Sequence, residues 1–222
     1  MKKPTFRLVA EAFTLVELLV LLAGVAILVA LMIRARVNRH RRATYPVCMH
    51  NLLQIGGALQ RFSWDNNNRF PPQVSITSGG SMELVGSNSP ALHFRTVSNY
   101  FSRDLHEFRC PADESKQPLT TNGVLMDRNV SYFLSVDATP GMTNVIQGGD
   151  RNLAVGGRAV RPGLFVLTTN AAARWTHELH TKRAGTQCGN ILFADGHVDY
   201  LHANLSAAVQ HQGLATNRLV FP

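Results

Sequence analysis

From Phe13 to Ile33 the chain is apolar at almost every position, with one charge, Glu17, four residues in. Twenty-one residues rise about 31 Å as a helix, close to the roughly 30 Å of a bilayer's hydrocarbon core. The run exceeds the about 7–15 apolar residues of a cleavable secretory signal, so a membrane-spanning helix over 13–33 is predicted. Pattern changes at NLLQIGGALQRF (51–62), where Leu52, Ile55, Leu59 and Phe62 recur at three, four and three residues. That spacing is the stripe of an amphipathic, core-facing helix. Pro46 ahead of it lacks an amide donor and predicts a kink or break between the two helices. WDNNNRFPP (64–72) ends the second helix in turn chemistry.

Past Gln73 the periodicity weakens. Residues 73–163 are rich in Gly, Ser, Asn and Thr, with short candidate strands such as VSYFLSV (130–136) and no repeat. NILFADGHVDYL (190–201) alternates apolar and polar positions on both sides of Asp195-Gly196. An Asp-Gly pair between such runs predicts a two-residue hairpin turn with positive φ at both residues. NLSAAVQHQG (204–213) predicts a short terminal helix stopped at Gly213. The expected fold class is α+β: a long N-terminal helix, membrane-spanning in its first half, packed on a small antiparallel sheet head with loop-rich insertions. The expected segments are 1–12, a 13–33 span, a basic and amphipathic 34–62, and a head over 63–222.

Charge alters this picture only at the flanks of the span. The chain of 222 residues has a net charge of +8, which invites a nucleic-acid reading. Five arginines, however, lie in RARVNRHRR (34–42), with Lys2, Lys3 and Arg7 ahead of the span. From Ala43 onward fourteen Lys and Arg face twelve Asp and Glu. The head is nearly neutral, no nucleic-acid partner is expected, and anionic lipid headgroups suit the basic flanks. Trp64 and Trp175 fit core or interface anchors better than base-stacking platforms.

An ionisable residue inside a spanning segment marks a functional site by default. Here it belongs to an ordered set: a short basic leader, the small Ala12, the aromatic Phe13, then TLVELLVLLAGVAIL. The set resembles the signal of type IV prepilins and type II secretion pseudopilins. The resemblance implies a pilin-like fold, a cytoplasmic leader over 1–12, cleavage between Ala12 and Phe13 by a prepilin peptidase, and N-methylation of Phe13. It also implies that Glu17, fifth in the mature chain, pairs with the N-terminal amine of a neighbouring subunit. At about 4 Å and an effective dielectric near 20 such a pair attracts by several kcal/mol. Ala12 stands where the family usually has Gly. The arginines after the span oppose a bare positive-inside count, and the cleavage signal decides for a cytoplasmic leader and a periplasmic head, single-pass in the inner membrane.

The resemblance continues in QIGGALQRFSWDNNNRFPP (54–72), FRCPAD (108–113), NVSYFLSVDA (129–138) and GDRNL (149–153), similar to large prepilin-like families of planctomycetes and verrucomicrobia. In those families the cysteines at the places of Cys48 and Cys110 sit close, which implies a disulfide between them. Two buried thiols remain the alternative, and Cys188 stays outside the pair. The families also carry a His-x9-Asp-Gly motif near the C-terminus, whose counterparts here are His180, Asp195 and Gly196. Fourteen residues separate His180 from Asp195, so the spacing is five longer, with KRAGT (182–186) as the insertion.

His177, His180, His197 and His202 with Asp195 and Asp199 raise a metal site, with His197 and Asp199 two apart on one strand face. No H-E-x-x-H spacing supports it. Some major pseudopilins hold calcium in a C-terminal loop, yet the D-x-[DN]-x-[DN]-G pattern is absent. No resident cofactor or metal is expected. No nucleophile elbow, P-loop or dinucleotide fingerprint appears, so no enzyme is expected. The reading that results is a pseudopilin, a structural subunit of a secretion or pilus filament built with other pseudopilins through the first helix. Its rival is a membrane-anchored exported binding module that uses the signal only for sorting.

Overall fold

The computed structural model describes residues 14–43, 45–101, 105–120, 123–181 and 187–222, with the side chains of 36–43, 45 and 181 outside it. The chain divides into two units between Arg39 and His40. The first is dominated by helix α1 (Leu15–Ala43). Every residue of α1 from Leu15 to Ala35 is exposed, and the segment is long and apolar enough to cross a membrane. A helix apolar around its whole circumference needs apolar surroundings on all sides.

Helix α2 (Tyr45–Asp65) lies in the second unit, and the break expected ahead of Pro46 falls at residue 44, outside the described residues. Proline fits a first helical turn because the N–H it lacks would have no partner there. Leu52, Ile55, Leu59 and Phe62 are all buried, and Cys48 and Ala58 extend the stripe. This is the helix that packs on the sheet, and its partner strand is β8 below. After the short helix α3 (Pro90–Arg95) and several 3-10 turns come the strands β1 (Tyr132–Ser135), β2 (Ile146–Asp150), β3 (Leu153–Val155), β4 (Arg158–Ala159), β5 (Gly163–Thr168), β6 (Ala173–Trp175), β7 (His180–Thr181), β8 (Gln187–Phe193) and β9 (Val198–His202). Helix α4 (Ser206–Gln210) and strand β10 (Thr216–Phe221) complete the chain.

Among the described residues all strand pairs are antiparallel. The larger sheet runs β5-β10-β1-β2-β8, with β9 on one edge of β8 and β7 on the other. The smaller sheet is β4-β3-β6. Side chains alternate across β1 and β8 as pleating requires. Tyr132, Leu134 and Leu192 enter the core under α2, while Phe133, Ile191 and Phe193 enter a second core with Trp175, Leu205, Val209 and Phe221. With both faces covered, β8 is buried from Cys188 to Phe193, and the alternation predicted for it in polarity is not an alternation in burial.

The expected terminal helix is α4, and Gly213 turns the chain at φ 74°. Beyond it, TNRLVF forms β10 between β5 and β1 in the sheet's interior.

Candidate functional site

Ala12 and Phe13 lie outside the described residues. Glu17 lies in the first turn of α1 and has a local partner. Its Oε2 accepts from the backbone N–H of Thr14 at 2.9 Å and from the Thr14 hydroxyl at 2.8 Å, while the Glu17 N–H donates to Thr14 Oγ1 at 3.3 Å. This reciprocal arrangement is a capping box, and T-x-x-E is its signature. TLVE spells it in the sequence, and a carboxylate in a first helical turn also complements the helix dipole. Glu17 therefore has a structural use within its own helix.

The Asp-Gly hairpin forms, with a different turn from the one expected. Only Gly196 takes positive φ, at 95°. Its N–H donates to the Phe193 carbonyl, and the Phe193 N–H donates to the His197 carbonyl, each at 2.9 Å. Such bonding makes a three-residue loop, Ala194 to Gly196, with a glycine bulge, and leaves Asp195 in ordinary backbone space. Asp195 Oδ1 instead accepts from the His197 N–H and pairs with the His197 ring, which stacks on Phe193 at 4.3 Å between centroids. His197 directly precedes β9 and, like Asp199 two residues on, is exposed on the side opposite buried Val198, with its ring engaged by Asp195 and Phe193. His177, Asp199 and His202 are exposed, and among the described residues none of these joins a metal-binding group.

His180 goes elsewhere. Its Cα pairs with Cys188 at the start of β8, five residues before the turn, or about 17 Å at 3.3 Å per residue. The motif residues His180, Asp195 and Gly196 are therefore two sites on one strand, and KRAGT lies outside the described residues.

Around His180 the quoted sequence fragments converge. Tyr132 lies opposite Asp150 in the β1–β2 ladder, and both are fully buried. Asp150 Oδ2 accepts from the Asn190 backbone N–H at 2.7 Å and from Asn190 Nδ2 at 2.9 Å. The same oxygen is 3.6 Å from His180 Nε2, and that nitrogen is 3.5 Å from Cys110 Sγ. Cys110 is disulfide-bonded to Cys48 of α2, with Cα atoms 5.2 Å apart. Burial pushes the Asp150 carboxyl above its ordinary pKa, with His180 and Asn190 pulling the other way. Nearby, Arg151 clamps Asp113 through Nε at 2.6 Å and Nη2 at 2.9 Å, and reaches Glu178 through Nη1 at 2.7 Å. Burial alone would raise the Asp113 carboxyl; the Arg151 fork and the Ser115 hydroxyl outweigh it and hold it low. Cys188 is buried and accepts from the Tyr200 hydroxyl.

Asp150 was not singled out from the sequence. Its only signal was membership of GDRNL, and nothing local marks a strand-end aspartate as buried. Compared with protein-family models, curated proteins and solved structures, the chain matches none. The fold defines an α+β protein with antiparallel sheets and an N-terminal helix long and apolar enough to span a membrane.

Proposed function

We propose that this chain is a prepilin-like pseudopilin, a structural subunit with a non-catalytic role. A prepilin peptidase cuts it between Ala12 and Phe13, Phe13 is N-methylated, and α1 carries the subunit into a type II secretion or type IV pilus-like filament. The leader is cytoplasmic and the head periplasmic. The observation that carries this reading is a carboxylate in the first turn of a helix whose whole apolar circumference is exposed from Leu15 to Ala35. Both a bilayer and a bundle of identical helices would cover such a surface. Glu17 serves both states: it caps its own helix in the lone subunit and pairs with a neighbour's amine in the bundle.

Mass spectrometry of the mature N-terminus tests the processing, with N-methylated Phe13 as the expected result. A retained leader, or a cut after Ile33, overturns it. For assembly, Glu17→Gln keeps a capping-box side chain and removes the charge, whereas Glu17→Val removes both. Filament entry measured by shearing and sedimentation is expected to fall in both variants. Normal entry of Glu17→Gln would reduce Glu17 to a cap. If N-methylated subunits are found only as membrane-anchored monomers, the chain is instead an exported binding module.

A further inference from the structure

We propose that Cys48, Cys110 and His180, with Asp150 as fourth ligand, form a zinc site when the disulfide is reduced. The head would then have two alternative cross-links at one place, covalent when oxidised and metal-based when reduced. This inference is independent of filament assembly.

The three donor atoms Cys48 Sγ, Cys110 Sγ and His180 Nε2 all lie within 4.8 Å of one another. Tetrahedral zinc with a sulfur at about 2.3 Å and a nitrogen at about 2.05 Å separates the two by about 3.6 Å. Cys110 Sγ and His180 Nε2 are already 3.5 Å apart. For nitrogen and carboxylate oxygen the same geometry gives about 3.4 Å, and His180 Nε2 and Asp150 Oδ2 stand at 3.6 Å. The two sulfurs must part to about 3.8 Å once their bond is broken, and the Asp150 carboxylate, which stands beside His180 but outside the three-donor group, must swing toward them. Two thiolates, an imidazole and a carboxylate are a zinc donor set.

The surroundings add an independent observation. All four residues are 0–1% exposed, and Asp150 Oδ1, His180 Nδ1 and Asn190 Oδ1 have no hydrogen-bond partner among the described residues. Buried polar atoms left this way are costly, and a cation held beside Asp150 would offset the cost of its buried carboxylate. Asn190 would orient Asp150 from the outer shell through the two bonds it already makes.

The chemistry balances with a named reductant. A dithiol or phosphine supplies two electrons, two protons enter, and the disulfide becomes two thiols. Zinc then binds both sulfurs and releases those two protons.

The test uses the full chain purified in detergent, reduced with a phosphine, desalted without oxygen and mixed with zinc sulfate. The expected result is one zinc per reduced chain after gel filtration, and none for the oxidised chain. His180→Ala should weaken retention by about tenfold or more, whereas Cys188→Ser, outside the site, should leave it unchanged. Cobalt in place of zinc should give a tetrahedral thiolate spectrum. Circular dichroism separates loss of site from loss of fold. A reduced chain with native dichroism and no zinc overturns the proposal, and so does undiminished binding by His180→Ala. A reduced chain that unfolds and is not restored by zinc overturns it as well.

Discussion

At the scale of single residues, burial decides which ionisable groups affect stability. His93 is buried in α3, hydrogen-bonded through Nδ1 to Ser81 Oγ at 2.7 Å, and burial holds its pKa down at about 4 against an ordinary 6.5. The unfolded chain takes up this proton near pH 6.5 and the folded chain only near 4, so the unfolded state binds more protons between those values. Stability therefore falls as pH drops through that window, with a slope for this group approaching about 1.4 kcal/mol per pH unit. A pH series of denaturant unfolding should show that slope in the parent and a flatter one in His93→Gln. An equal slope in both would assign the dependence to another group. Nothing in PALHFR distinguishes a buried histidine from an exposed one, so this was not legible in the sequence. Glu17 is the contrary case: T-x-x-E states its cap in four letters, because a capping box is made within one turn.

Among elements, α2 on β8 shows how much a local pattern predicts. The stripe from Leu52 to Phe62 names the helix and its buried face, since a 3.6-residue period needs no knowledge of the partner. It does not name the strand. The adjacent Gly56 and Gly57 are indistinguishable as letters, yet a Cβ on Gly56 would stand 2.7 Å from Leu192 Cδ1 and one on Gly57 would meet nothing within 4 Å. Gly57→Ala should raise stability by about 0.5–1 kcal/mol through helix propensity. Gly56→Ala should lower it by roughly 1–3 kcal/mol, because the methyl group crowds a closely packed core. Thermal unfolding of the two variants reads the difference; equal shifts would show that α2 does not rest on β8 through Gly56. The hairpin divides in the same way. Asp195-Gly196 located the turn correctly, and the turn type followed from where the bulge at Gly196 closed.

For the whole molecule, Arg151 ties the 113–115 segment to the end of β2. Asp113 is 1% exposed and depends on that fork. Arg151→Met should cost about 3–5 kcal/mol by leaving a buried carboxylate without its partner. Adding Asp113→Asn should recover part of the loss, read by denaturant unfolding of single and double variants; no recovery would place the cost in packing. Sequence alone determined the apolar span, the amphipathic helix that follows it, the α+β class and the position of the hairpin, all features set by neighbours a few residues apart. Only the tertiary structure decided that TNRLVF is an interior strand, since its partners β1 and β5 lie about 80 and 50 residues earlier in the chain. It alone separated His180 from the Asp195-Gly196 turn and brought Asp150 and His180 beside the Cys48–Cys110 pair that the resemblance implied. Those four residues span more than half the chain, and strand register, which sequence spacing does not encode across long loops, is what sets them side by side.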